Sequence, residues 1–288
     1  MSLMTSEEKL RRRLLGDPPK RDLLGWLGPL LAMVAGGIMR FWDLGRPHQL
    51  VFDETYYVKQ AWSMVRWGVE LRNGGPYGEK PDEAFTHGTL DVFNTTDGDL
   101  VVHGPVGKWI IAAGEAMFGG DSSIGWRFSV CVLGTISIFL LGRIARRLLG
   151  SSVLGTIAAV LLAFEGHHFV HSRTGLLDLI LMFFALSAFG ALLLDRDQSR
   201  AVLARRMAAA PPDRLADDRW LGPSMGWRPW RWVAALSLGL AAGTKWSGLY
   251  FLVVFGLMTV LWDLGARRAV GIRSYGLAAV VRDGIPAF

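Results

Sequence analysis

The apolar positions of this chain gather into long runs instead of alternating with polar ones. The runs fall at 22–42, 104–119, 126–142, 152–170, 175–194, 232–262 and 277–288, and charged residues stand in blocks between them. A helix needs about 20 residues to cross about 30 Å of hydrocarbon, so most of these runs predict spanning helices. The run 104–119 is shorter and carries Lys108 and Glu115, which predicts an interfacial helix. The run 232–262 is interrupted by "GTKWSG", and Lys245 in its middle is costly in lipid. A turn over 243–248 should therefore divide it into helices at 232–244 and 249–262. The first of these is too short to span alone and should be buried among its neighbours. The pattern predicts an all-α, polytopic membrane protein with about six spans.

Between the first two runs, "LVFDETYYVKQAW" sets Asp53 and Glu54 ahead of Tyr57, Val58, Ala61, Trp62 and Val65 at helical spacing. This predicts an amphipathic helix lying on the outer leaflet with its aromatic residues as anchors. Asp53 would be its N-cap and Glu54 would sit in its first turn. A cap needs only one acid, so the doubled acid also predicts a general base, since burial makes a carboxylate more basic.

Composition strengthens the membrane reading. The 288 residues are 51% hydrophobic, include 12 Trp, and have a mean hydropathy of +0.30. The net charge is +6, with a pI near 9.8. The positive residues sit in loops: Lys9, Arg11, Arg12, Arg13, Lys20 and Arg21; then Arg143, Arg146 and Arg147; then eight Arg against five Asp in 195–231; then Arg267, Arg268 and Arg273. Loops of this kind are cytoplasmic, so the basic balance reports membrane orientation and not a nucleic-acid partner. Residues 1–21 form a basic cytoplasmic N-terminus, and 22–288 a single transmembrane domain. That domain has an external loop at 43–125 and a mobile, solvated cytoplasmic loop at 195–231, whose arginines can meet anionic lipid headgroups. The polar start of the chain shows no cleavable signal peptide. The lone Cys131 excludes an intrachain disulfide and a cysteine metal site.

With this orientation the loop 43–125, the turn at 165–175 and the turn at 243–248 emerge together on the outer face. His103 and Lys108 begin the interfacial helix, and Arg127 stands at the outer end of the next span. Lys108 opposes the helix dipole at that position, which fits a nearby anion or a lysine snorkelling to headgroups. "FEGHHFVHSRTGLLD" adds Glu165, His167, His168, His171, Arg173 and Asp178. His167 and His171 have the spacing of metal ligands but lack a third ligand, so no metal is expected. Arg173 and Asp178 should pair across the turn or shape a pocket for a charged substrate. The set combines candidate acids (Asp53, Glu54) with candidate phosphate binders (Lys108, Arg127, Arg173, Lys245). Such a set suits group transfer from a lipid phosphate: the cations would stabilise the departing phosphate while an acid deprotonates a hydroxyl.

"FDETYY", then "HGPVGKW", "WRF", "HSRTGLLD" and "GTKWSGLY", in this order and spacing, resemble the protein O-mannosyltransferase family, of the actinobacterial type. The resemblance runs over nearly the whole chain from about residue 24 and is to the family's N-terminal half. It implies the large membrane glycosyltransferase (GT-C) class, a helical bundle with an external interfacial-helix loop. It further implies transfer of mannose from polyprenyl-phosphate-mannose to Ser/Thr of exported proteins, with inversion at the sugar carbon and no tightly bound cofactor. The implied partners are the lipid-linked donor, acceptor proteins, membrane lipids and the secretion machinery, at the cell membrane. On the family pattern Asp53 is the base and Glu54 its neighbour near the acceptor. Arg127 and Lys245 face the donor phosphate, with Arg173 and Lys108 beside them and His103, His171 and Asp178 in support. The family's usual His-Pro-Pro reads His103-Gly104-Pro105 here, a change expected to loosen that helix start. Other readings of the same residues are a transferase of another lipid-linked sugar, such as arabinose, a transporter, and a non-catalytic membrane fragment.

Overall fold

The computed structural model describes residues 5–16, 22–74, 81–99 and 102–284. Lys20 and Arg21 of the first basic block, and residues 285–288 of the last apolar run, lie outside them. In chain order the helices are α1 (Ser6–Leu15), α2 (Leu24–Phe41), α3 (Glu54–Trp67), α4 (Pro81–Thr86), α5 (Pro105–Phe118) and α6 (Ser123–Leu149). There follow α7 (Ser152–Phe164), α8 (Gly166–His171), α9 (Leu177–Ala208), α10 (Pro212–Ala216), α11 (Pro229–Thr244), α12 (Gly248–Ala269) and α13 (Tyr275–Ala278), the last continuing as a π-helical turn over Ala279–Gly284. Strands β1 (Leu71–Asn73) and β2 (Phe93–Gly98) pair antiparallel as a small ribbon that the all-α expectation did not contain.

Four helices, α2, α6, α9 and α12, are long and apolar enough to cross a membrane, which makes this a multi-pass membrane protein. Of the six expected spans, α7, at 13 residues, and α11, at 16, are shorter than that length. The run 152–170 is cut at Glu165, whose carboxylate accepts from the His167 and His168 N–H groups and starts α8 instead of continuing α7. The run 232–262 divides between Thr244 and Gly248, with Lys245 in the break.

The chain forms two compact units. The first comprises the described parts of 1–20, 187–237 and 250–288. Its core joins Leu14 of α1 to Leu203, Ala204, Met207, Met225, Ala266 and Ile272. Residues 195–208, expected in a mobile loop, instead extend α9. Arg228 and Arg231, expected to be solvated, are each paired with both Asp195 and Asp263, while Arg267 pairs with Asp283. Buried charge needs a partner, so this segment is clasped by ion pairs.

The second unit, 21–186 with 238–249, holds every candidate site residue. Small side chains let its helices touch: a Cβ on Gly28 of α2 would lie 2.0 Å from Thr156 Oγ1 of α7, and one on Gly114 of α5 would lie 2.3 Å from the Gly125 carbonyl oxygen of α6. The main core gathers Tyr57, Val58 and Ala61 of α3 with Ile111, Trp126, Val130, Leu177 and Ile180. The apolar face of α3 is thus covered by protein, contrary to the expected surface helix resting on lipid. Where α2, α7 and α8 meet, the buried Arg40 guanidinium reaches the Gly36, Leu162 and Ala163 carbonyls, Ser172 Oγ and His168 Nδ1.

Candidate active site

The turn ahead of α3 decides what each of the paired acids can do. Phe52 adopts φ +54°, a left-handed conformation that bulky residues rarely hold, and it is 77% exposed. Asp53 occupies the N-cap position, but its backbone is helical (φ −70°, ψ −4°) and its side chain caps nothing. Glu54 instead reaches back to the Val51 N–H at 2.9 Å. The same buried carboxylate accepts from Arg127 Nε at 2.8 Å, from Arg127 Nη2 at 2.9 Å and from the Gly175 N–H at 2.7 Å. It therefore joins the turn, α6 and the approach to α9.

Arg127 has nothing left to offer a phosphate. Besides Glu54, its remaining N–H groups donate to the Leu44, Pro47 and Gln49 carbonyls, and its side chain is 1% exposed. The expectation of a donor-phosphate contact gives way to a buried clamp, because a fully buried guanidinium must satisfy all its donors within the protein. Glu54 is likewise consumed and presents no free oxygen to an acceptor.

Asp53 differs. It is half-buried, and among the described residues its carboxylate receives one hydrogen bond, from Tyr57 Oη to Oδ2 at 3.3 Å. Burial first, and then the Asp53 carboxylate, raise the Tyr57 phenol above its ordinary value. The Tyr57 ring faces His103, centroid to centroid at 6.0 Å. Burial and then the positive charges of Lys245 and Lys108 hold His103 below the usual histidine value, while Asp178 and Asp53 oppose them. His103 is thus within electrostatic reach of Asp53, Lys108, Asp178 and Lys245.

Two cations resolve differently from expectation. Lys108 does meet an anion, but it is the carboxylate of Glu70, in a pair 1% and 8% exposed, so it is not open to a ligand. Asp178 pairs with Lys245, Nζ to Oδ1 at 2.8 Å, and not with Arg173. Arg173 donates to the Met39 and Asp43 carbonyls at 3.4 and 3.0 Å. The Lys245–Asp178 pair is more open, with side chains 18% and 47% exposed. The His167 and His171 rings lie tilted with centroids 4.2 Å apart, and among the described residues no third ligand joins them. Burial first, then His167, lower His171.

The break around Lys245 is held by an unusual approach. A Cβ on Gly104 would lie 2.1 Å from the Gly243 carbonyl oxygen. Gly104 thus lets the start of α5 lie close against the break. Sequence reasoning also missed Glu70, whose distance of 38 residues from Lys108 leaves no local signal. Tyr57 was findable in principle, since it stands one helical turn after Asp53 on the same face. Glu115, already noted in the interfacial run, is fully buried; both its oxygens lack partners among the described residues, and burial raises it well above the ordinary carboxylate value.

The pattern of the family described as dolichyl-phosphate-mannose-protein mannosyltransferase matches residues 95–205. The chain is 43% identical over 248 residues to a polyprenol-phosphate-mannose–protein mannosyltransferase of Mycolicibacterium smegmatis, covering 85% of this chain and 43% of that protein. It is 41% identical over 273 residues to the Mycobacterium tuberculosis protein of the same name, covering 93% and 47%. The chain thus spans about half the length of the curated relatives it matches. A solved Saccharomyces cerevisiae protein O-mannosyltransferase Pmt1–Pmt2 complex bound to the sugar donor shares the fold, with a TM-score of 0.60 at 18% identity over 97% of this chain and 33% of that one. On the identity carried through nearly all of its length, the chain belongs to the protein O-mannosyltransferase family.

Proposed function

We propose that this chain acts in transfer of mannose from polyprenyl-phosphate-mannose to Ser/Thr hydroxyls of exported proteins, at the outer face of the cell membrane. The names of the mycobacterial relatives supply the donor, and the basic loops supply the orientation. The observation that carries the assignment of roles is the division of the paired acids. Glu54 is locked to Arg127, whereas Asp53 keeps a carboxylate oxygen without a partner among the described residues.

In this reading Asp53 takes the proton of the acceptor hydroxyl as that oxygen attacks the anomeric carbon of mannose. The bond from that carbon to the phosphate oxygen breaks, and polyprenyl phosphate leaves with the electron pair. Displacement from the opposite face inverts a β-linked donor to an α-mannoside. Lys245, in the break between α11 and α12, meets the charge developing on the departing phosphate. Asp178 holds that lysine, and His103 and His171, both kept toward the neutral form, stand nearby. Arg127, Lys108 and Arg173 act indirectly, by fixing the surrounding elements.

The test supplies membranes carrying the chain with radiolabelled polyprenyl-phosphate-mannose and a Ser/Thr-rich peptide. Transfer that disappears in Asp53→Asn is the expected result. Equal transfer by Asp53→Asn and its parent would remove Asp53 from the reaction.

A further inference from the structure

The base assigned above has one restraint on its carboxylate, and that restraint comes from a residue with no assigned role. Glu54 fixes the backbone at the start of α3, but it does not touch the Asp53 side chain, which remains free to turn about its own bonds. Among the described residues only Tyr57 Oη, at 3.3 Å from Oδ2, opposes that rotation.

Tyr57 is built to stay in place. Its side chain is 6% exposed and packs in the core with Val58, Ala61, Ile111 and Leu177. The ring also lies against His103. Its position is set by α3 itself, because residues four apart lie one above the other on a helix. A core aromatic needs no hydroxyl for packing, and a buried hydroxyl without a partner is costly, so Asp53 is what makes tyrosine tolerable there.

We propose that Tyr57 is a positioning residue for the transfer reaction: its hydroxyl holds Oδ2 of Asp53, so that Oδ1 is presented to the acceptor hydroxyl. This rests on the reading of Asp53 as the base. The phenol is raised by burial, remains protonated through the neutral range and is therefore always the donor. No proton is exchanged between the two groups; Tyr57 only fixes the orientation of the carboxylate.

Tyr57→Phe keeps the ring and removes the oxygen. The expected result is a fall in kcat of about tenfold, the size of one hydrogen bond to a charged group, with KM for the lipid donor and the melting temperature unchanged. A merely structural tyrosine would lower the melting temperature or leave kcat alone. Parental kcat in Tyr57→Phe, alongside an inactive Asp53→Asn, overturns the proposal and leaves the function standing. An active Asp53→Asn overturns the functional reading itself. A second readout needs no turnover: 3-fluorotyrosine is incorporated at Tyr57 and its fluorine resonance is compared with and without Asp53→Asn. A shift supports the contact, and an unmoved resonance overturns the proposal on its own.

Discussion

Glu54 and Arg127 form a two-point ion pair at 2.8 and 2.9 Å with both side chains essentially closed to solvent. Their union leaves Asp53 as the open member of the acid pair. A buried pair adds little over a well-packed apolar one, yet removing one partner strands the other. Arg127→Ala should therefore destabilise the protein by about 3–5 kcal/mol. Arg127→Lys should recover little of this, since an ammonium cannot reproduce the planar fork. Thermal unfolding in detergent measures both. An Arg127→Ala protein as stable as the parent, with only donor binding lost, would restore the direct phosphate contact expected from sequence.

Lys245 behaves in the opposite way. Its pair with Asp178 is partly open, and such pairs contribute under about 1 kcal/mol. Lys245→Met should leave the melting temperature almost unchanged while mannose transfer falls about a hundredfold, as for loss of one group that stabilises developing charge. Melting and transfer measured on the same preparation separate the two effects. A large fall in melting temperature would make the pair structural.

His168 should make stability depend on pH. Burial, and then Arg40, lower it from 6.5 to about 4. Arg40 can only donate, so His168 Nδ1 accepts and Nε2 carries the proton toward Ser137 Oγ at 3.0 Å. The unfolded state binds this proton more readily than the folded one. Its contribution is therefore complete above about pH 6.5, declines as pH falls toward 4, and changes no further below that. The loss is on the order of 2–3 kcal/mol. Melting curves from pH 7 to 4 should show this slope in the parent, and a flatter one in His168→Gln.

Glu115 has the opposite sign. Its folded form favours the proton, so its stabilising state is full below the ordinary carboxylate value and is lost as pH rises toward the raised one. Glu115→Gln keeps the shape and should abolish that loss, leaving the protein at least as stable as the parent at pH 8. Comparing the two melting temperatures at pH 5 and pH 8 checks it. A Glu115→Gln protein that melts lower at both would mean the carboxylate has a partner within the fold.

Gly104 should resist the smallest enlargement. Its φ of −62° suits any residue, so only space is at issue. Gly104→Ala puts a Cβ against the rigid Gly243 carbonyl and should cost about 1–3 kcal/mol, with transfer reduced because Lys245 lies two residues further on. Gly239→Ala, where a Cβ meets open space, is the matched control for thermal unfolding.

The sequence by itself determined the helices. Apolar runs marked the four spans, Lys245 marked the break before α12, and the spacing after Asp53 marked α3. These signals are local: a helix is written in residues three and four apart, and the cost of a charge in lipid is felt where that charge sits. The ordered motifs were enough to place the chain in its family. What only the tertiary structure decided was the pairing of charges. Glu54 meets Arg127 across 73 residues, Lys108 meets Glu70 across 38, and Lys245 meets Asp178 across 67. Burial dictates that such groups find partners, but it does not say which. Arg127 and Lys108 therefore looked like phosphate binders until the packing of α3, α5 and α6 showed them already occupied. For the same reason the family pattern could name Asp53 as the base, but the physical difference between it and its neighbour Glu54 appeared only when the fold buried one and left the other within reach of Tyr57.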